Sequence, residues 1–155
     1  MNKYLETVLE HAKQFDDEYI KTSETDLFCP NEAVIKNYII AKSVITPDLK
    51  ISIIIDPVEM PAMQAEFKDI LTKTGLDKKW DKKATIKDNI IFFKNDSLIY
   101  FSGYEKPADR FKNTIMKVIY VSNTALDSLK GLGNLEKNFK GMADDDTRMI
   151  YNFEE

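Results

Sequence analysis

Few residues in this chain are of a type and spacing that does bond chemistry. His11 is its single histidine and Cys29 its single cysteine, so a Ser–His or Cys–His nucleophile would have to be built around them. His11 falls on the polar side of an N-terminal helical pattern, with no serine or cysteine beside it in sequence, and reads as a surface residue. Asp144-Asp145-Asp146 offers three carboxylates for Mg²⁺, but consecutive residues point in different directions, so the run reads as a solvated turn. Asp56 ends an apolar run, where metal nucleases place a carboxylate. It has no partner acid at a readable spacing and reads as a capping residue. There is no Gly-x-x-x-x-Gly-Lys loop, and Gly131-Leu132-Gly133 lacks the third glycine of a dinucleotide loop and follows a helix. No metal site, no cofactor and no catalytic residue is expected, and the chain reads as non-enzymatic.

Charge says more. From Lys68 to Lys83 six lysines (Lys68, Lys73, Lys78, Lys79, Lys82 and Lys83) stand against three aspartates, a local net of +3. From Asp16 to Glu32 six acids stand against Lys21, a local net of −5. The whole chain carries −4, so it is not a basic nucleic-acid binder overall. A basic segment on an acidic body repels DNA in most directions and attracts phosphate in one. The six lysines are therefore the candidate DNA-binding residues. Trp80 between lysine pairs, with Tyr104 and Phe111 in a polar connector, are the candidate partner-binding residues; the plainer reading has them packing against the sheet or pinning a loop.

These residues need a scaffold. The chain has 155 residues, 43% of them hydrophobic, enough for a core without disulfide or metal. No signal-type N-terminus and no apolar run of membrane-spanning length is read, so the expectation is a cytoplasmic protein with no membrane partner. Tyr4, Leu5, Val8, Leu9, Ala12 and Phe15 share one helical face, predicting a helix over Asn2–Phe15 that stops at the acidic Asp16-Asp17-Glu18. Tyr19–Lys21 and Asp26–Phe28 read as a short hairpin. Residues 33–45 fit either period. Dense β-branched residues between Pro30 and Pro47 favour strand. Ile51–Ile55 is a buried strand, followed by a helix from Pro61 to Thr74 with Gly75 closing it. Ile90–Phe93 and Leu98–Phe101 flank a turn and predict a hairpin. A strand over Thr114–Ser122, a helix from Asn123 or Thr124 through Leu132, and a strand over Arg148–Phe153 complete the order. The class is α+β: an antiparallel sheet with two or three helices on one face. Residues 1–122 form the main domain, and 123–155 a helix–strand extension or the start of a second half-domain.

Helix, hairpin, strand, strand–helix, hairpin, strand is an order that resembles one domain of a sliding DNA clamp, the processivity-factor family of T-even phages and of proliferating cell nuclear antigen. Tyr4–Phe15, Asp48–Leu71 and Asn89–Phe101 carry the likeness, within residues 1–122. It implies a DNA-replication role: weak, sequence-independent grip on duplex DNA through lysines, and a polymerase-type protein partner held near the connector. Clamp subunits have two or three such domains, so a chain with room for one implies a homo-oligomer or a non-closing version. The rival is a small acidic phage-encoded inhibitor or toxin-immunity protein, working through Asp16–Glu32 together with Asp144–Glu155.

Overall fold

The computed structural model describes residues 2–20, 25–76, 89–129 and 132–152. Its elements run α1 (Lys3–Glu18), β1 (Asp26–Phe28), α2 (Glu32–Ile45), β2 (Lys50–Ile55), α3 (Met60–Thr74), β3 (Ile90–Phe92), β4 (Leu98–Gly103), β5 (Val118–Val121), α4 (Asn123–Leu129), α5 (Leu132–Asn138) and β6 (Arg148–Tyr151), with a 3₁₀ turn over Lys140–Met142 before β6. The mixed α and β content expected from the sequence is present. The strands form one mixed sheet in the order β1-β6-β5-β2-β4-β3.

The sheet is not the antiparallel one expected. Four of its five pairings are parallel, and only β3 with β4 is antiparallel, across the hairpin turn the sequence announced. Parallel strands need crossovers, and here helices or long connectors supply them. The clamp-like element order is corrected with it. Nor do the described residues of the expected extension, 123–129 and 132–152, stand apart, because β6 lies inside the sheet between β1 and β5.

Alternation along each strand splits the core in two. Ile51, Ile53, Ile55, Ile99, Phe101, Val118, Tyr120 and Ile150 face α2 and α3, where Ile35, Tyr38, Ile39, Phe67 and Leu71 meet them. Ile54, Tyr100, Ile119, Val121 and Tyr151 face the other way, onto Ala125, Leu129, Leu135 and Phe139 of the α4–α5 side. Apolar residues on both faces explain why β2 reads as an unbroken run rather than an alternation. α1 and α3 share one side, as expected, and α2 lies with them; α4 and α5 cover the other face, where no helix was expected.

Residues 32–45 are a helix, not a strand. Asn31 caps it, its Oδ1 accepting from the Val34 N–H at 3.2 Å. Its far end is held by Asn95, whose amide donates to the carbonyls of Ser43, Val44 and Thr46 at 2.9, 3.1 and 3.2 Å. β-branched residues are tolerated because α2 is wrapped: the sheet lies below it, and Val8 and Ala12 of α1 meet Ala41 and Ile70 above. A helix buried on most sides shows little amphipathic period, which is why the pattern misled.

α1 also runs one turn past Phe15, through the acidic triplet to Glu18. Lys42 lies 3.4 Å from Asp16 and offsets part of the unfavourable charge at that helix end. Asp26–Phe28 is a strand, but it pairs in parallel with β6 rather than in a hairpin with the segment after α1. At the end of α3 Gly75 takes φ 77°, the left-handed closing conformation that glycine allows without a Cβ clash.

Candidate functional site

In a mostly parallel sheet with helices on both faces, ligands settle outside the carboxyl ends of the strands, where successive connections leave in opposite directions. That point here lies between β2 and β5. After β2 the chain passes through α3 toward β4; after β5 it passes through α4 and α5 toward β6 on the other side. The residues at this crevice are Asp56–Glu59, Ser122–Thr124 and Gly103.

Side chains at the crevice bond to the chain itself. Asp56 Oδ1 accepts from the Val58 N–H at 3.0 Å, and its Oδ2 accepts from the Ser128 hydroxyl of α4 at 3.4 Å. One carboxylate thus ties the two sides of the switch point together. Pro57 leans over the end of β4, so close that a Cβ on Gly103 would stand 3.2 Å from Pro57 Cγ. Ser122 turns its hydroxyl back onto the Ala125 N–H at 3.2 Å. The third strand-to-helix loop, Cys29-Pro30-Asn31, spends the Asn31 side chain on its own helix. At each of these three loops one helix-start N–H is therefore taken by a side chain of the loop itself: Val58 by Asp56, Ala125 by Ser122 and Val34 by Asn31.

The residues singled out from the sequence do not converge. Lys68 is exposed on α3. Lys73 is paired with Asp69 at 2.9 Å and lies 5.6 Å from the Tyr4 ring centroid; the Asp69 carboxylate raises its pKa. Lys78, Lys79, Lys82, Lys83 and Trp80 lie outside the described residues. Tyr104 is half-buried, its carbonyl accepting from the Asn138 amide at 3.4 Å. Phe111 is buried and stacked on Tyr100 at 4.1 Å between ring centroids, and the Tyr100 hydroxyl accepts from the Ala108 N–H at 2.8 Å. Phe111 therefore pins the connector, the plainer of its two roles. Asp144 accepts from the Asp146 N–H at 2.9 Å and from Thr147, a self-contained turn. His11 is not a free surface group: its Nδ1 lies 2.7 Å from the Asn37 amide nitrogen. Among the described residues no three His, Cys, Asp or Glu side chains gather in a way that could hold a metal ion, and no helix is long and apolar enough to cross a membrane.

Three constellations emerge only in the fold. Lys36 is buried on α2 and joins Glu32, four residues earlier, to Glu66 of α3. The Glu32–Lys36 spacing would have shown it, had 33–45 been read as helix. A cavity of about 460 Å³ beside β1 and β6 brings Asp26, Glu136, Asp144 and Asp145 around Leu135, Phe139 and Met149, with Lys140 among them. A smaller cleft of about 320 Å³ at the amino edge of the sheet is lined by Tyr38, Lys42, Lys117, Asp146 and Arg148. Burial raises the pKa of Tyr38, and the neighbouring Arg148 guanidinium opposes that shift.

Neither a protein-family model nor a curated protein matches this chain. Among solved structures it is similar to the large terminase of the thermophilic bacteriophage D6E, with a TM-score of 0.59 and 12% identity. The match covers 97% of this chain and 38% of the terminase chain, so the protein spans well under half the length of its neighbour. At that identity the likeness is one of fold.

Proposed function

We propose that this protein is a non-enzymatic, DNA-associated scaffold of terminase-like fold, gripping duplex DNA weakly and without sequence preference while holding a protein partner. The observation that supports the non-enzymatic part is at the switch point, where the Asp56 carboxylate is bonded to the Val58 N–H and the Ser128 hydroxyl. Support for DNA association is the phage terminase sharing the fold and the lysine-rich stretch that begins on α3 at Lys68. The partner, a protein of the polymerase type, would use the half-buried Tyr104, whose carbonyl accepts from the Asn138 amide.

The test is paired titration of the full chain, monitored by fluorescence anisotropy, with a labelled nucleoside triphosphate plus Mg²⁺ and with a labelled duplex. The expected result is no saturable nucleotide binding and duplex binding that weakens steeply with salt, the log–log slope growing by about 0.9 per phosphate neutralised. Saturable nucleotide binding would overturn the reading, and so would salt-insensitive or absent duplex binding.

A second reading has one observation in its favour. The two acidic stretches meet, since Asp26 and the Asp144-Asp145 pair line one cavity with an apolar floor. An acidic inhibitor or immunity-type protein would present that cavity to a basic partner. Replacing Asp26 and Asp145 with Lys would then abolish binding of a lysine-rich peptide without weakening duplex binding.

A further inference from the structure

We propose that the amino-edge cleft framed by Tyr38, Lys42, Lys117 and Arg148 is a phosphate-binding site, one that the lysine-rich stretch from Lys68 to Lys83 does not contain. Only the source of the phosphate, not the site, rests on the DNA-associated reading.

The argument starts from strand order. β2, β5 and β6 are neighbours, and each is entered through a cation. Lys50 opens β2, Lys117 precedes β5, and Arg148 opens β6. Their main chains are bonded in series: the Lys117 N–H donates to the Lys50 carbonyl at 2.9 Å, and the Arg148 N–H to the Lys117 carbonyl at 3.0 Å. Parallel pairing is what aligns three such entrances on one edge. Arg148 sits opposite Val118, a residue of the α2-facing layer, so its side chain joins Tyr38 of α2 in the cleft.

The wall is rigid. Tyr38 is 3% exposed, with its ring 4.2 Å from that of Phe15 between centroids. Lys42 lies 5.7 Å from the Tyr38 ring centroid. Helix α2 ends here, and bare carbonyls at a helix C-terminus would repel an anion. Those of Ser43, Val44 and Thr46 are instead occupied by the Asn95 amide. The opposing charges are Asp16 on α1, already bonded to Lys42, and Asp146 in the loop before β6. Lys42, Lys117 and Arg148 thus face two carboxylates, Asp16 and Asp146, which leaves the cleft one positive charge in excess.

A guanidinium fork and two ammonium groups lining one cleft, with Thr46 beside them, suit an anion with three or more oxygens. The cleft has room for one phosphate group and an ester substituent. That phosphate is either a small phosphate ester or a unit of a DNA backbone.

The experiment titrates the full chain at low ionic strength with inorganic phosphate and, separately, with a short duplex, following ¹⁵N-labelled amide and arginine side-chain NMR signals. Phosphate should shift Lys117 and Arg148, and Lys117→Gln should weaken its binding about tenfold, the loss expected for one charge-assisted contact. Lys117 is exposed, so this variant should fold, and its unchanged thermal melt checks that. If the duplex shifts the same signals and the variant weakens it too, the source is a DNA backbone. If phosphate alone binds there, the site stands as one for a small phosphate ester and the DNA reading falls. If phosphate leaves Lys117 and Arg148 unmoved, or Lys117→Gln binds it as tightly as wild type, the site is overturned.

Discussion

The Ser128 hydroxyl reaches across the switch point of the sheet to Asp56 Oδ2, 3.4 Å away, joining the loop after β2 to the helix after β5. The same carboxylate accepts from the Val58 N–H on its other oxygen. Asp56 therefore acts as a structural clasp at the position where a nuclease would hold a metal ligand.

Asp56→Ala should lower stability by about 1 to 2 kcal/mol, since two contacts to one carboxylate are lost, and Ser128→Ala by about half as much. Urea unfolding of the two single variants and the double variant measures this. The double variant should resemble Asp56→Ala, because removing the serine costs little once its acceptor is gone. Additive losses would show that Ser128 contributes through some other contact.

Gly141 sits in the 3₁₀ turn before β6, where a Cβ would stand 2.0 Å from the Lys112 carbonyl oxygen. No side-chain adjustment relieves a clash with main chain. Gly141→Ala should cost about 2 kcal/mol or more, at the upper end of overpacking effects. Gly133→Ala, with open space around it, is the control and should change the unfolding midpoint little.

Tyr120 is fully buried, and among the described residues its hydroxyl has no hydrogen-bond partner. Deleting an unsatisfied buried hydroxyl removes a desolvation cost without losing a bond. Tyr120→Phe should therefore be neutral, or stabilising by up to about 1 kcal/mol, in the same urea assay. A clear destabilisation would reveal a partner for that hydroxyl.

Alkaline pH should unfold the protein. Burial, with a smaller push from Asp26, raises the Tyr151 pKa from 10.0 to about 12, and burial also raises Tyr19, Tyr38 and Tyr120. A raised pKa in the folded state means that the neutral phenol is favoured there. The stability it lends is complete below pH 10 and is lost as pH rises toward 12. Absorbance titration of the tyrosines should show the buried group that includes Tyr151 ionising late, together with loss of the circular dichroism signal. A single early transition with the fold intact would contradict this.

Much of the fold is local and was legible. The alternating faces of α1, the turn between β3 and β4, and Gly75 closing α3 are all written in residues a few positions apart. The helix over residues 32–45 was not legible, because burial against the sheet and α1 removed the polar stripe that marks a helix. Outside the β3–β4 hairpin, strand direction was not legible. Asp26 pairs alongside Met149, and no local signal joins residues so far apart. The sites follow the same division. The sequence by itself determined that no Gly-x-x-x-x-Gly-Lys loop is present, since that motif depends on residue type at short spacing. Only the tertiary structure decided that Asp56 is a clasp, and that Lys42, Lys117 and Arg148 share one cleft. That convergence depends on parallel strand order, which packing over the whole chain selects and no single segment encodes.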